Sequence, residues 1–516
     1  MSNGTTHEAE AVPWSIASQD VRSSLFPIAY IVDGYAQPQY NVAGIGLPHF
    51  AVSFEGPTVS YLIVDEQWKS ASSQYFRRVQ DNPGMLAEVL DNIHRTSDAL
   101  LESAREIARA VSPQLTNKEL LGLYQRFITF LREVYHFGLV PTFLDCKEYT
   151  YVTDLIGSIL EERGVRKEDR GVVFATLTTP TFSWDFTIAE DELRQMISCV
   201  REHSVWKDAA LSLSLDQLQG EHRELVELYE LYCQRFGWLQ YGYEGPLMST
   251  TDLHRMVRER ILRVGDDRSV RQSAERQHRQ VEAQQQEAIA RYGFSEEYVR
   301  WFALARRMAF YKSYRRLRQS QSYALLEPLL RLIAQRSGLP LELWRMLTPQ
   351  EVERALESPW SPPDDLNDRR QLCVYGSVNG ESFLLSGLGA RQFVDHAIAH
   401  LPERQRPLLN GQVAYPGVVE GQVVVVRSPE DADDVPTGCI IVSPSLNPHM
   451  QLAMERCRAI VTDAGGLTCH AAIVAREYQI PCIVGVANAT AQIHTGDYVR
   501  VDANHGVITI LIQHHR

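Results

Sequence analysis

Between Pro83 and Val111, apolar residues recur at Leu86, Leu90, Ile93, Leu100, Ala104, Ile107 and Val111. That spacing keeps them on one face of an α-helix, with one turn skipped between Ile93 and Leu100. Downstream, Thr116-Asn117-Lys118-Glu119 has the form of a capping box, in which a threonine hydroxyl and a glutamate satisfy each other's backbone amides. It opens a helix with Leu120, Leu123, Phe127 and Tyr135 on one face. The same period predicts helices near 147–164, 188–204, 215–236, 250–262 and 295–337. "LTPQEVERAL" predicts another, with Thr348 as cap and Pro349 at the first helical position. The segment 269–291 is polar nearly all round, which predicts a long exposed helix or a hairpin arm rather than a core element.

Other stretches break this period. Residues 14–65 carry short β-type runs ("AVSF", "VSYLIV") among Gly and Pro, predicting a few strands and loops. "ESPWSPPDDLNDRR" (357–370) reads as a loop. Two strands are predicted in 371–386 with Asn379-Gly380 as their turn, then a short helix near 389–400. A linker falls within 401–411, where Pro402 and Pro407 with charges between them predict a semi-stiff strap. Beyond it the runs are β-rich: "VVEGQVVVV", "CIIVSP", "RAIVTD", "PCIVGV" and "DYVRVDANHGVITIL". The fold class is therefore multidomain α+β. A mainly helical domain spans 1–400, with a strand-rich start at 14–65 and a small β segment at 371–386. The linker over 401–411 leads to a β/β/α domain over 412–516.

Composition narrows the function classes. The 516 residues suffice for about three domains. A net charge of −13, from 51 basic and 64 acidic residues, argues against a nucleic-acid or membrane-surface binder. No apolar run approaches the roughly 20 residues of a membrane span. No basic start followed by an apolar core marks a secretory signal. Eight scattered cysteines form no CxxC pair, so a reduced, cytoplasmic setting is expected.

The chemistry concentrates in "VTDAGGLTCHAAIVAREYQIPCIVGV", Val461 to Val486. A buried strand runs into Gly465 and Gly466, which let the backbone turn sharply and approach a ligand closely. A helix then begins at about Thr468 to His470, with Thr468 able to cap it. Helix N-termini present unpaired N–H groups and suit phosphate. A histidine there has a ring nitrogen that can attack phosphorus. On spacing alone a lone histidine at a helix start is more often a polar turn residue than a nucleophile, and Cys469 fits a small residue facing the interior. His449 and His505 are competing histidines, and both also fit solvated loops. The basic run Arg306, Arg307, Lys312, Arg315, Arg316 and Arg318 is open between a solvated helix face and a cleft for phosphate or carboxylate. Tyr135, His136, Tyr241 and Tyr243 are open between core and pocket.

The whole string resembles the phosphohistidine signature of the swivelling domain in phosphoenolpyruvate-utilising enzymes. That group includes phosphoenolpyruvate synthase, pyruvate phosphate dikinase and rifampicin phosphotransferase. The resemblance rests on GG-x-T-C-H-A-A, the following A-R-E, the I-P and the terminal V-G. "GVVEGQVVVV", "TGCIIVSPSLNP" and "TGDYVRVDANHGVITI" resemble its opening, middle and closing segments, with Ser445 where threonine is usual. It spans roughly 408–512. It implies that His470 is the phosphorylated residue, that Gly465, Gly466, Thr468 and Cys469 bind its phosphate, and that Arg476 and Ser445 are supporting positions; Arg476 and Glu477 match the family's A-R-E. The helical part is loosely similar to the acceptor-binding part of rifampicin-phosphotransferase-type enzymes.

No ATP-grasp sequence, P-loop or acceptor barrel is legible in the chain. The resemblance therefore implies a phosphotransferase component that needs a separate ATP-grasp protein, which would bind ATP and Mg²⁺. This chain would bind no cofactor or metal itself, and residues 1–400 would hold a small-molecule acceptor. The alternative is a non-catalytic scaffold or regulatory subunit with a docking swivel domain.

Overall fold

The N-terminal strands find their partners near the far end of the helical part. A computed structural model of the chain describes residues 9, 12–21, 23–37, 39, 41–56, 58–145, 149–181, 185–262, 274–357, 360–399, 409–428, 431–432, 435–446, 450–465 and 469–513. Strands β1 (Ser15–Val21), β2 (His49–Glu55) and β3 (Thr58–Ile63) join β4 (Leu372–Val378) and β5 (Glu381–Ser386). They form one antiparallel sheet in the order β1-β3-β2-β4-β5. The two β segments that sequence patterning treats separately are thus halves of one sheet. The β4–β5 turn is the expected one: Asn379 and Gly380 both take positive φ, 51° and 86°.

Two expectations in this part are corrected. Helix α1 (Leu25–Ala36) interrupts the predicted strands and loops of 14–65. Nearly all of its residues are buried, so it shows no polar face for periodicity to detect. The Pro/Asp stretch 357–370 is not all loop, because a short helix, Leu366–Gln371, leads directly into β4.

Helices α2 (Pro83–Ala110) and α3 (Asn117–Gly138) follow the predicted periods. The turn skipped in α2 is filled by Thr96 and Ser97, both fully buried; Thr96 returns its hydroxyl proton to the Asn92 carbonyl at 2.8 Å. The predicted capping box forms at Thr116 with Glu119, and the predicted cap Thr348 forms a box with Glu351 as well. Helix α4 (Lys167–Thr178) is followed, further along, by α5 (Ala274–Tyr292) and by α6 (Glu296–Arg336), 41 residues long. Helix α6 packs along α2 and α3 and touches α4.

The reading of 269–291 as a long exposed helix holds as far as the described residues reach, with one side of it anchored. Helix α5 lies against α4, and the buried Gln285 donates to the Thr176 and Thr179 carbonyls at 3.0 and 2.9 Å. The basic run on α6 is not a solvated face. Arg306 donates to the Leu177 carbonyl, Arg307 pairs with Asp91, and Arg318 pairs with Asp98 and Asp185. The tyrosines are core: Tyr135 and Tyr241 are buried, and Tyr135 shares a hydrogen bond with Tyr323.

The C-terminal part is a single mixed sheet, giving the multidomain α+β architecture expected. Its strands are β6 (Leu409–Asn410), β7 (Gln412–Tyr415), β8 (Val418–Val425), β9 (Ile440–Ser443), β10 (Ala459–Thr462), β11 (Cys482–Val484), β12 (Tyr498–Asp502) and β13 (Val507–Ile512). Their order is β6-β13-β12-β8-β9-β10-β11-β7, and the run β8-β9-β10-β11 is parallel. The two edge strands are consecutive in sequence, so Gly411 between them draws the sheet into a barrel-like closure. Its N–H donates to the Gly506 carbonyl at 2.9 Å. A Cβ there would lie 2.5 Å from Val486 Cγ2 and 2.7 Å from the Val484 carbonyl oxygen. Because β6 belongs to this sheet, the strap expected over 401–411 cannot extend past 408; residues 401–408 lie outside those described.

That closure yields a stability prediction. Gly411→Val forces β11 away from β7 and should lower the unfolding free energy of the C-terminal unit by about 1–3 kcal/mol. Urea unfolding followed by circular dichroism measures it; an unchanged midpoint would show that the closure is loose.

Candidate active site

His470 is the first residue of helix α7 (His470–Tyr478), which follows β10 in the middle of the parallel run. Of the turn between them, residues 463–465 and Cys469 are described. Gly465 takes φ +114°, and a Cβ there would meet the Cys469 sulfur at 2.8 Å. Behind it, a Cβ on Gly485 would lie 3.0 Å from the Gly465 carbonyl oxygen. Asp463 pins the entry to the turn by accepting from the Thr490 amide at 2.8 Å and from the Thr490 hydroxyl. The amides of Asp463 and Ala464 donate to the Ser443 and Pro444 carbonyls at 3.0 Å, which lays the 443–445 segment beside the turn. Thr462 Oγ1 is buried beneath it and makes no hydrogen bond. A sealed hydroxyl of this kind is rare in protein interiors and recurs at functional sites.

The cap of α7 differs from the sequence expectation. Cys469, not Thr468, is the N-cap, and its sulfur accepts from the Ala472 amide at 3.5 Å. Burial raises its thiol pKa, against the pull of that amide and of the nearby cations Lys312 and Arg476. Cys469 is therefore a neutral cap rather than a nucleophile. Gly466 and Thr468 fall outside the described residues, as does His449. His505 occupies an exposed turn between β12 and β13, bonded to Asp502 at 2.9 Å, away from the His470 turn. Ser443 donates to the Ser445 carbonyl at 2.7 Å.

Helix α7 is clamped from two sides. Ala471, Ala472, Val474 and Ala475 pack into the core beneath the parallel strands. Ile473, on the other face, belongs to a cluster built from the helical part, with Leu193, Phe310 and Leu317. The seam continues along α4. Phe174 packs against the C-terminal core, and a Cβ on Gly171 would lie 2.7 Å from the Asn504 carbonyl oxygen. An Arg456–Glu259 ion pair spans it as well. In this pose His470 Nε2 is sealed from solvent.

Arg476 is buried, and its Nε donates to the Ala414 carbonyl at 3.2 Å. Burial lowers its pKa to about 10, against the fields of Cys469, Cys482 and Asp145, so it stays cationic at neutral pH. Asp145 comes from the helical part. It is buried, accepts from the Thr153 hydroxyl at 3.0 Å, and lies within the fields of Lys312 and Arg476. The docked turn is thus met by an acid and a lysine from the helical part. Sequence reading placed Lys312 only within a basic run and missed Asp145, which sits in a segment with no period to give it away. Among the described residues no group of three metal-ligating side chains occurs.

The comparisons with known proteins agree with this geometry. Residues 435–506 match the family "PEP-utilising enzyme, mobile domain". The C-terminal unit is similar to the mobile domain of the phosphoenolpyruvate-utilising enzymes. Over 106 residues it is 47% identical to a phosphoenolpyruvate synthase of Pyrococcus furiosus, covering 20% of this chain and 13% of that one. Over 99 residues it is 43% identical to a phosphoenolpyruvate synthase of Deinococcus radiodurans, covering 19% and 13%. A longer match, 23% identical over 436 residues, links the mobile domain and most of the helical part to an uncharacterized phosphotransferase, YvkC, of Bacillus subtilis; it covers 79% of this chain and 51% of that one. The matches thus span from about an eighth to about half of these relatives' lengths. An NMR structure of Enzyme I overlays at a TM-score of 0.15 with 15% identity, covering 48% of this chain and 69% of that one, and carries no argument.

Asp145 gives a pH prediction. Burial raises its carboxyl to about 6, against the pull of Lys312, Thr153 and Arg476. The native protein therefore holds this proton more tightly than the unfolded chain does. Its contribution to stability is present below about pH 4 and is lost as pH rises through 6, a difference of up to about 3 kcal/mol. Asp145→Asn should remove this slope. Urea unfolding at pH 4.5 and 7 should show the wild type losing stability relative to the variant; parallel profiles would contradict the buried carboxyl.

Proposed function

We propose that His470 carries a phosphoryl group between a donor and a small-molecule acceptor, making this chain the mobile-domain component of a phosphotransferase. The observation that carries the reading is the placement of His470 at the first position of α7, directly after a glycine turn held from three sides. There the helix N–H groups and dipole favour a phosphoryl group on the ring. Gly465 and Gly466 supply the close backbone approach, with Thr468 and the Cys469 amide as further donors. Ser445 supports the turn from the neighbouring strand end. Arg476 holds α7 against β7 and adds positive charge beneath it.

The donor is ATP bound with Mg²⁺ to a separate ATP-grasp protein. His470 attacks its β-phosphorus, the P–N bond forms as the α,β-bridging P–O bond breaks and AMP leaves, and water then cleaves the β,γ-bridging P–O bond of the pyrophosphohistidine, releasing phosphate and leaving one phosphoryl group on the ring. The acceptor is held by residues 1–400. In-line transfer needs close positioning at each station, and the docked pose covers Nε2, so the mobile domain must swing out to be charged. The setting is the cytoplasm.

The test incubates the full chain with a candidate ATP-grasp protein and ATP labelled at the β-phosphate. Label should reach this chain, resist base and be lost in acid, as an N-phosphate does. His470→Asn should take up no label. Label persisting in that variant, or label stable to acid, would overturn the assignment.

A further inference from the structure

A cleft of about 510 Å³ opens at the seam, and its walls come from both units. Helices α4 and α5 supply one wall, including Thr176, Val281 and Arg291. The mobile domain supplies the other, including Tyr415, Ile473 and Arg476. Its volume falls within the range of small-molecule sites and is too small for a helix or a strand pair. The surfaces are mixed: aliphatic from Val281 and Ile473, aromatic from Tyr415, with a hydroxyl from Thr176. Among the described residues, two arginines and one carboxylate, Glu287, line it. The guanidinium of Arg291 stacks over Tyr292, 5.4 Å from the ring centre, at the α5 rim. Burial pulls the His278 imidazole below its usual range, which leaves that lining group uncharged at neutral pH. His470 is not among the lining residues, so the cleft is separate from the phosphate turn while sharing helix α7 with it.

We propose that this seam cleft binds a small aromatic or aliphatic amphiphile bearing one acidic group, and that its occupancy holds the mobile domain against the helical part. The acidic group faces Arg291 and Arg476, and the apolar body lies between Val281 and Ile473. The second half of the proposal rests on the swinging carrier described above; the first does not. The linkage is direct. A ligand that touches both walls meets its full set of contacts only in the docked pose. It therefore shifts the docking equilibrium by the ratio of its affinities for the two poses. The cleft would let a metabolite of this class hold the carrier in one station and slow each cycle of recharging.

The test uses the full chain with 8-anilinonaphthalene-1-sulfonate, an aromatic sulfonate of this class, and with neutral N-phenyl-1-naphthylamine as its uncharged counterpart. The sulfonate should bind saturably at one site, and the neutral dye more weakly. Val281→Trp fills the α5 wall and should weaken sulfonate binding at least about tenfold. Arg291→Glu, an exposed substitution that leaves the core intact, should weaken it about threefold and spare the neutral dye. Hydrogen exchange then reads the clamp. Saturating sulfonate should slow exchange in Lys167–Thr178 and Gln412–Tyr415, the facing segments of the seam. Binding that fails to saturate, or that ignores both substitutions, overturns the site. Saturable, variant-sensitive binding with unchanged exchange overturns the clamp and leaves the site standing. A normal clamp in a chain whose His470 takes no label would separate failure of the phosphotransfer reading from failure of this one.

Discussion

The structure turns on one helix that is packed into two cores at once. Helix α7 buries Ala471, Ala472, Val474 and Ala475 in the mobile domain and Ile473 in a cluster of the helical part. The small residues let the helix lie close under the parallel strands. The single large aliphatic on the outer face makes the contact between units. A fully buried isoleucine side chain is worth about 1.5–3 kcal/mol relative to exposure. That is enough to favour a docked pose without making it permanent. The ion pair Arg456–Glu259 and the seat of α4 at Gly171 set its direction. His470 rides on the end of this helix, so whatever fixes Ile473 also fixes the imidazole.

The second constraint is electrostatic. Docking brings the cation Arg476 toward a buried acid and a lysine of the helical part, Asp145 and Lys312. Burial disfavours each isolated charge, and together they compensate one another. A phosphoryl group arriving on His470 would add negative charge next to this balanced set. Lys312, whose field already reaches Cys469, is the cation of the helical part placed to answer it.

Legibility followed the range of the interactions. The site turn could be read because its geometry is local. A glycine at φ +114°, a cap and a helix start need only a few adjacent residues, and their pattern is distinctive. The capping box at Thr116 and the cap at Thr348 were legible for the same reason. Helix α1 was hidden because burial on every side erases periodicity. Helix α5 was legible as a long polar helix, but its anchor, Gln285 donating to the Thr176 and Thr179 carbonyls, is a contact that no local pattern encodes. The joining of β2 to β4 and the placement of Asp145 beside Arg476 depend on long-range pairing, which one sequence does not display. The cap shifted from Thr468 to Cys469 because helix boundaries vary by a residue or two, and a thiol can replace a hydroxyl as acceptor.

The central claim is that His470 is a reactive phosphoryl carrier held under cover when docked. Phosphoramidate, a small donor that needs no protein partner, tests it most directly. Its rate of phosphorylating His470 should be compared in the native chain and in Gly171→Leu, whose side chain must push against the Asn504 carbonyl and prop the seam open. The account predicts phosphate on His470, located by mass spectrometry, with a rate about tenfold higher in the variant because the covered state is depopulated. Equal rates in the two proteins, or modification of other histidines while His470 stays bare in the opened variant, would contradict it.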